Sequence, residues 1–137
     1  MKEPRVFSKR DIRGKGFKQW LDALRSGGYE QGETTLMSGT HSKPMFCVLG
    51  VAHDTYLKNV TGTEWHPDDM EGSDLPMSSA DWTFNGSVNP EVYSKATLST
   101  GHTLDGWYMV TELNDCYGAT LEEIADIVES YTDKEEA

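Results

Sequence analysis

Two stretches of the chain have the apolar spacing of an amphipathic helix. In the first, apolar residues fall at the i, i+3, i+4 and i+7 positions, which are Phe17, Trp20, Leu21 and Leu24. A Ser-Gly-Gly sequence at residues 26–28 then supplies a helix stop. The pattern predicts a helix that begins near Phe17 and ends before the two glycines.

The second stretch lies near the end of the chain. Thr120 is followed three residues later by Glu123, which is the spacing of a capping box at a helix N-terminus. The apolar residues that follow share one face, and they are Leu121, Ile124, Ala125 and Val128. A helix with one apolar face packs against other elements, so we expect both helices to contribute to a core.

Between these helices, residues 46–54 are apolar over most of the circumference of a helix. We therefore predict a central helix from Phe46 to Tyr56, with the two amphipathic helices meeting across it as a three-helix core. Cys47 is then a core residue, because a free cysteine behaves as a small hydrophobe unless a positive neighbour lowers its pKa. His53, at the more polar end of this helix, is expected to be exposed or to cap it.

The middle of the chain has weaker patterns. Residues 61–76 have the composition of a loop, and Ser78 and Asp81 have capping-box spacing that favours a short helical turn. The segment Leu104–Leu113 fits either a helix or an alternating strand, and we favour the helix.

Turn signals at Asn85-Gly86 and Asn89-Pro90, flanked by β-tolerant residues, favour a small β-hairpin. The sequence as a whole predicts a helix-dominated α+β fold, with three or four helices around one core and a small β-hairpin or irregular middle segment. We predict a basic, flexible N-terminal arm at residues 1–16, a single globular domain at 17–132 and an acidic frayed tail at 133–137.

Charge is unevenly distributed along the 137 residues, whose net charge is −11. Residues 1–18 carry seven basic and two acidic side chains, a local charge of +5, which leaves −16 on the rest of the chain. An acidic body repels nucleic acid and competes for a basic site on another protein. We therefore expect no specific nucleic-acid binding.

Nothing in the composition indicates secretion or a membrane. The N-terminus is charged with no apolar run behind it, and no stretch approaches the roughly 18 apolar residues of a membrane span. Two cysteines, Cys47 and Cys116, do not make a disulfide framework. We expect a cytoplasmic protein.

Cysteine and histidine both occur in residues 46–54, but a local catalytic dyad is excluded. In a helix Cys47 and His53 lie on different faces, and in a strand they lie about 20 Å apart. The sequence therefore indicates no catalytic residue. A cysteine-dependent enzyme would need a base for Cys47 from elsewhere, and the remaining histidines are His41, His66 and His102.

The acidic segment at residues 66–74 raises the question of a metal site. A calcium-binding loop needs an acidic residue five positions before Gly72, and that position is Pro67. The sequence at Arg13–Lys18 likewise lacks the spacing of a phosphate-binding loop. We predict no metal site and no cofactor.

Three ordered segments carry a resemblance to known proteins: WLDALRSGGYEQ from Trp20, FCVLGVAHD from Phe46 and LNDCYGATLEEIADIVE from Leu113. Together they resemble a family of small uncharacterised proteins of tailed bacteriophages and prophages. The resemblance implies a viral origin and expression in the cytoplasm of a bacterial host. It implies no known activity and no catalytic residue. The chain departs from this family at residues 57–103, which are longer and more polar.

A binding module is the function class that requires the fewest special residues, since it needs no positioned nucleophile or base. We expect a small acidic viral accessory protein that binds stoichiometrically to a host protein with a basic patch. The candidate contact residues are Trp65, Trp82, Trp107, Asn114 and Asp115. The alternatives are a small ligand held in a pocket lined by the tryptophans, and a hydrolase or transferase that uses Cys47.

Asn114 and Asp115 have a second interpretation besides binding. They stand directly before the Cys116-Tyr117-Gly118 turn, where polar side chains commonly satisfy the loose backbone groups at the C-terminus of a helix. We favour this capping role. The sequence does not indicate an oligomeric state.

Overall fold

The computed structural model describes residues 15–33, 36–40, 42–63, 77–84 and 87–135. Within these ranges the chain forms five α-helices and two antiparallel two-stranded ribbons, so the predicted helix-dominated α+β class is confirmed. The helices are α1 (Lys15–Arg25), α2 (Val48–Tyr56), α3 (Met77–Phe84), α4 (Val110–Asp115) and α5 (Leu121–Glu135). The strands are β1 (Met37–Gly39), β2 (Pro44–Phe46), β3 (Glu91–Ser94) and β4 (Gly106–Met109).

Helix α1 has the predicted apolar face, and all four of its predicted core residues are buried. Trp20 is fully buried, stacks edge-on against Phe17 and Phe84, and donates its indole N–H to the Val48 carbonyl at 3.0 Å. The helix ends at Arg25, and Gly27 follows with a φ of +77°, a conformation that glycine adopts without strain. The predicted stop is confirmed.

The arrangement of the helices differs from the predicted one. Helix α1, and not α2, packs against the other two predicted core helices, and it also contacts α3. Arg25 at the end of α1 pairs with Asp126 and Glu129 of α5 at 2.7 and 2.6 Å. Helix α1 therefore takes the middle place among these helices.

Helix α2 is buried as the sequence predicts, since residues 48–55 are all buried, but it is not the helix on which the other two pack. It begins two residues later than predicted, because Phe46 belongs to β2. The Phe46 N–H donates to the Glu30 carbonyl at 2.7 Å, and the Phe46 carbonyl accepts from the Gly32 N–H at 2.8 Å. These bonds on either side hold Phe46 in an extended conformation and leave Cys47 as the residue that caps the helix.

After α2 the chain continues as a π-helical segment, Leu57–Thr61, and most of the predicted loop at 61–76 lies outside the described residues. The predicted helical turn at Ser78 is present as the two-turn helix α3. Its residues Ala80 and Phe84 are fully buried, so α3 adds to the core.

The predicted hairpin is present in a different place. Strand β3 pairs with β4, and residues 95–105 connect the two strands. Within this connection Thr97 and Thr103 form an isolated antiparallel β-bridge. Asn89-Pro90 precedes β3 and does not connect two strands, and Asn85-Gly86 lies outside the described residues. Asn89-Pro90 is therefore not the turn of this hairpin, because the partner of β3 is more distant in sequence than a tight turn allows.

The segment Leu104–Leu113 is neither a single helix nor a single strand. Trp107 and Tyr108 pair with β3 as part of β4, and α4 starts directly after Met109. The Met109 N–H donates to Glu112 Oε1 at 2.8 Å, which caps α4 from within the helix. The prediction of a helix is correct for the second half of the segment and wrong for the first.

Helix α5 confirms the predicted capping box. The Glu123 N–H donates to Thr120 Oγ1 at 3.1 Å, and the Thr120 N–H donates to Glu123 Oε1 at 2.9 Å. The second carboxylate oxygen of Glu123 accepts from the Ser99 N–H at 2.7 Å, which ties α5 to the β3–β4 connection. The four predicted apolar residues of α5 are buried.

No helix in the described parts of the chain is both long and apolar enough to cross a membrane.

Replacing Gly50 by alanine should destabilise the fold. A Cβ at this position would lie 1.8 Å from the Leu36 carbonyl oxygen, a backbone atom with little freedom to move. Overpacking of this kind typically costs about 1–3 kcal/mol, and we expect a loss at the upper end in the free energy of unfolding measured with urea.

Gly28→Ala is the matched control, because a Cβ there comes no closer than 3.4 Å to a side-chain oxygen. If Gly50→Ala were as stable as Gly28→Ala, the close packing of α2 on Leu36 would be incorrect.

Candidate functional site

The side-chain amide of Asn114 is the centre of a buried hydrogen-bond network. Its Oδ1 accepts from Gln31 Nε2 at 2.9 Å and from the Val48 N–H at 3.2 Å. Its Nδ2 donates to the Gly32 carbonyl at 2.9 Å and to an Asp115 carboxylate oxygen at 2.7 Å. Both donors and both lone pairs of the amide are therefore used. The residue is only 1% exposed.

The network shows that Asn114 is not the C-cap that the sequence favours. The C-cap of α4 is Cys116, whose N–H donates to the Glu112 carbonyl. Asn114 instead satisfies the free N–H of Val48, the first residue of α2, from a distant part of the chain. Asn114 therefore positions the buried helix.

A cleft of about 420 Å³ lies beside this network. We call it the Asn114 cleft, and its lining residues are Gln31, Gly32, Glu33, Ser38, Met45, Asn114, Gly118 and Ala119. A Cβ at Gly32 would lie 2.9 Å from Ser38 Oγ and 3.1 Å from the Cβ of Met45, so the loop after α1 lies directly against the β1–β2 ribbon. The cleft thus has a wall of tightly packed backbone.

Cys47 is buried and caps the N-terminus of α2. Its Sγ accepts a hydrogen bond from the Gly50 N–H at 3.4 Å, and the residue is 4% exposed. Burial raises the pKa of the Cys47 thiol, so the reactive thiolate is scarce at neutral pH. The burial predicted from the sequence is confirmed, and it comes with a capping role that the sequence did not indicate.

Of the three histidines that could serve as a base for Cys47, only His102 lies in the described part of the chain. His41 and His66 lie outside the described residues. His102 is exposed in the β3–β4 connection, where its ring stacks on Tyr117 at a centroid distance of 4.6 Å. No side chain among the described residues donates a proton to, or accepts one from, the Cys47 thiol.

The three candidate tryptophans do not share one described site. Trp65 lies outside the described residues. Trp82 is half-buried on α3 and packs edge-on against Tyr56 at 5.9 Å, whereas Trp107 lies on β4 and packs edge-on against Tyr93 at 5.4 Å. Neither the Asn114 cleft nor the groove described next contains a tryptophan in its lining.

The β3–β4 ribbon has one buried and one outward face. On the buried side, Val92 and Ser94 are 0% and 6% exposed. The alternate positions form the outward side, which we call the ribbon face, and its members are Glu91, Tyr93, Trp107 and Met109. A groove of about 380 Å³ adjoins it, and its lining residues are Tyr93, Ser94, Lys95, Ala96, Asp126, Ile127 and Ser130.

Met109 is the most exposed member of the ribbon face, at 41%. The only other large apolar side chain that is exposed in the described part of the chain is Val60, on the π-helical segment after α2. Asn89 holds Met109 in place, since its Nδ2 lies 3.4 Å from the Met109 sulfur and 2.9 Å from Thr111 Oγ1. The ribbon face therefore presents one exposed, restrained apolar side chain, Met109, on the same side as two half-buried aromatic rings.

Two buried polar contacts were missed by the sequence analysis. His53, predicted to be exposed or capping, is 8% exposed, and its Nδ1 lies 2.7 Å from Ser79 Oγ of α3. Burial lowers the pKa of His53, which favours the neutral imidazole. Ser79 is fully buried, so substrate has no access to this serine–histidine pair. Ser79 lies 26 residues after His53, so the local sequence around His53 could not predict this contact.

The second contact joins the loop after α1 to the end of α2. The Tyr29 hydroxyl donates to the buried Asp54 carboxylate, which also pairs with Lys58 Nζ at 2.9 Å. Burial, and then the hydrogen bond to Asp54, raise the pKa of Tyr29 well above its usual range. Tyr29 therefore stays a neutral donor, and the cluster is a stable crosslink between the two segments.

No cluster of three or more metal-ligating side chains occurs within the described ranges, and the acidic segment at 66–74 lies outside them. Residues 12–132 match the profile of one protein family, a domain of unknown function, DUF8296. No curated protein and no solved structure matches the chain.

Replacing Asn114 by alanine should destabilise the protein strongly. The substitution leaves the Val48 N–H, the Gly32 carbonyl and the Gln31 amide without this partner. A buried polar group without a partner costs about 1–3 kcal/mol, so we expect a loss of about 3 kcal/mol or more in the free energy of unfolding.

The control for this substitution is Asn59→Ala, because Asn59 is exposed and donates only to the Thr55 carbonyl, four residues earlier in the chain. We expect a change below about 0.5 kcal/mol there. Similar, small losses for both variants would contradict the role given to Asn114.

The two thiols should differ in their rates of labelling with an aromatic disulfide reagent. Cys116 is exposed and Cys47 is buried, so the variants Cys47→Ser and Cys116→Ser each report on one thiol. We expect Cys47 to react at least about a hundredfold more slowly in the folded protein, because the structure must open first, and both thiols to react alike in denaturant. Fast labelling of Cys47 in the folded protein would restore the cysteine-enzyme hypothesis.

Proposed function

The chain belongs to the DUF8296 family, whose function is unknown. From the geometry above we propose that it is a non-catalytic protein that binds a protein partner through the ribbon face. The observation that carries the proposal is the exposure of Met109 beside the packed ring pair of Tyr93 and Trp107. Aromatic residues and methionine are the side chains most enriched at the centres of protein interfaces.

The rigidity of the ribbon face supports this assignment. The rings of Tyr93 and Trp107 pack edge to face, and Asn89 restrains Met109. Side chains that are already ordered lose less conformational entropy when a partner binds. The ribbon face therefore has the properties of an interface centre, where most of the binding energy is concentrated.

Charge indicates the kind of partner. The chain carries a net charge of −11, and Glu91 is itself a member of the ribbon face. A partner with basic residues around an apolar pocket fits this surface, and long-range attraction would accelerate the association. In the setting that the phage resemblance implies, the partner is a host protein and the chain is a viral accessory protein.

The chemistry of Cys47 favours binding over catalysis. Its thiol is buried, its pKa is raised, and its capping role requires the sulfur to stay where it is. A small-ligand function has less support, because neither described cleft is lined by the tryptophans on which that hypothesis depended.

A photo-crosslinking amino acid at position 109 tests the proposal, and the same amino acid at position 60 is the matched control. Both positions hold exposed large apolar residues, but Val60 lies on the π-helical segment and not on the ribbon face. In bacterial lysate we expect a discrete protein adduct from position 109, absent from position 60, that weakens as salt rises from about 50 to 300 mM.

The captured protein should bind the purified wild-type chain. Its affinity for the Met109→Lys variant should be about 30-fold weaker, which is the change expected for a hot-spot residue. Thermal unfolding of the variant verifies its fold. Identical adducts from both positions, or an unchanged affinity for Met109→Lys, would show that the ribbon face is not the interface.

A further inference from the structure

The Asn114 cleft has polar lining that the proposed binding function does not use. We propose that this cleft binds a guanidinium group, carried by an arginine side chain of a protein or by a free small molecule. The proposal does not depend on the ribbon face, since the two sites share no residue. It follows from which hydrogen-bonding groups of the cleft are already committed and which are not.

The amide donors at the cleft are all committed within the protein. Gln31 Nε2 donates to Asn114 Oδ1 at 2.9 Å and to the Ala119 carbonyl at 2.8 Å, which uses both of its hydrogens. Asn114 Nδ2 likewise donates both hydrogens, to Gly32 and Asp115. These two side chains therefore have no N–H group to offer a ligand.

The uncommitted side-chain groups are two acceptors and one hydroxyl, which can accept as well as donate. Gln31 Oε1, the Glu33 carboxylate and Ser38 Oγ all belong to residues that line the cleft. None of the three has a hydrogen-bond or ion-pair partner in the described part of the chain, and none is sealed from solvent in the way that Asn89 Oδ1 is. The fixed amide of Gln31 also fixes the position of its own Oε1.

A set of acceptors that includes one carboxylate selects a cation with several donors. An anionic ligand would meet the negative charge of Glu33 and find no side-chain amide donor. A guanidinium presents five N–H donors in a rigid plane, whereas an ammonium presents three from a single atom. Acceptors on three separate residues are better matched by the larger planar group.

The remaining lining suits the rest of an arginine side chain. Met45 offers a flexible apolar surface against which a methylene stem can pack, and Gly118 and Ala119 are small enough to leave room for it. The net charge of −11 raises the local concentration of any cation near the cleft.

A titration of the full chain followed by two-dimensional NMR tests this assignment. The ligand is arginine blocked as its N-acetyl, N-methylamide, and the matched ligands are the blocked citrulline, which has the same shape without the charge, and the blocked lysine. We expect saturable shifts at Gln31, Ser38 and Ala119 with arginine, weaker binding of lysine and no saturation with citrulline.

Glu33→Gln should weaken arginine binding by about five- to tenfold, the effect of a partly exposed ion pair supported by hydrogen bonds. Glu30→Gln is the control, because Glu30 is exposed in the same loop and does not line the cleft. Free arginine distinguishes the two sources of the group. Binding as tight as that of the blocked form indicates a small-molecule ligand, and clearly weaker binding indicates an arginine within a peptide.

Three results would overturn the proposal: equal binding of citrulline and arginine, equal binding of lysine and arginine, or an unchanged affinity in Glu33→Gln. Because none of these measurements involves Met109 or Trp107, they leave the proposed function of the ribbon face untouched. Conversely, failure of the crosslinking experiment does not affect the Asn114 cleft.

Discussion

The structure depends on the burial of one amide. Asn114 joins the N-terminus of α2, the loop after α1 and the end of α4 through its hydrogen bonds. Its removal would leave the buried Val48 N–H and the Gly32 carbonyl without this partner, which is costly in the interior. The apolar contacts of the core are less directional and tolerate small shifts, whereas four hydrogen bonds to one planar group do not. This amide therefore sets the positions of the segments around it.

Functional consequences follow from the same arrangement. At the N-terminus of α2, the Val48 N–H donates to Asn114 and the Gly50 N–H donates to the Cys47 sulfur. The thiol therefore has a structural role, and its burial shields it from reagents. The side-chain amide hydrogens of Gln31 and Asn114 are all used in the interior, so these two residues can offer the Asn114 cleft only an oxygen. The ribbon face retains an exposed apolar side chain, Met109, because its residues lie on the side of the ribbon opposite to the buried Val92 and Ser94.

The segments that carry the phage resemblance contact one another. Trp20 of the first segment donates to Val48 of the second, Tyr29 of the first donates to Asp54 of the second, and Gln31 of the first donates to Asn114 of the third. Each of these hydrogen bonds joins a side chain of the first segment to a buried residue of another segment. These motifs therefore describe how the core is assembled, and a resemblance based on them carries information about fold and little about activity.

The sequence alone determined the elements whose cause is local. The helix around Trp20, the capped helix after Thr120 and the burial of Cys47 follow from apolar spacing and from hydrogen bonds within three residues. Tertiary structure decided the rest. Leu104–Leu113 divides into strand and helix because β3 pairs with only its first half, and His53 is buried because α3 covers it. The role of Asn114 depends on residues 66 and 83 positions away, and no local pattern records contacts over such distances.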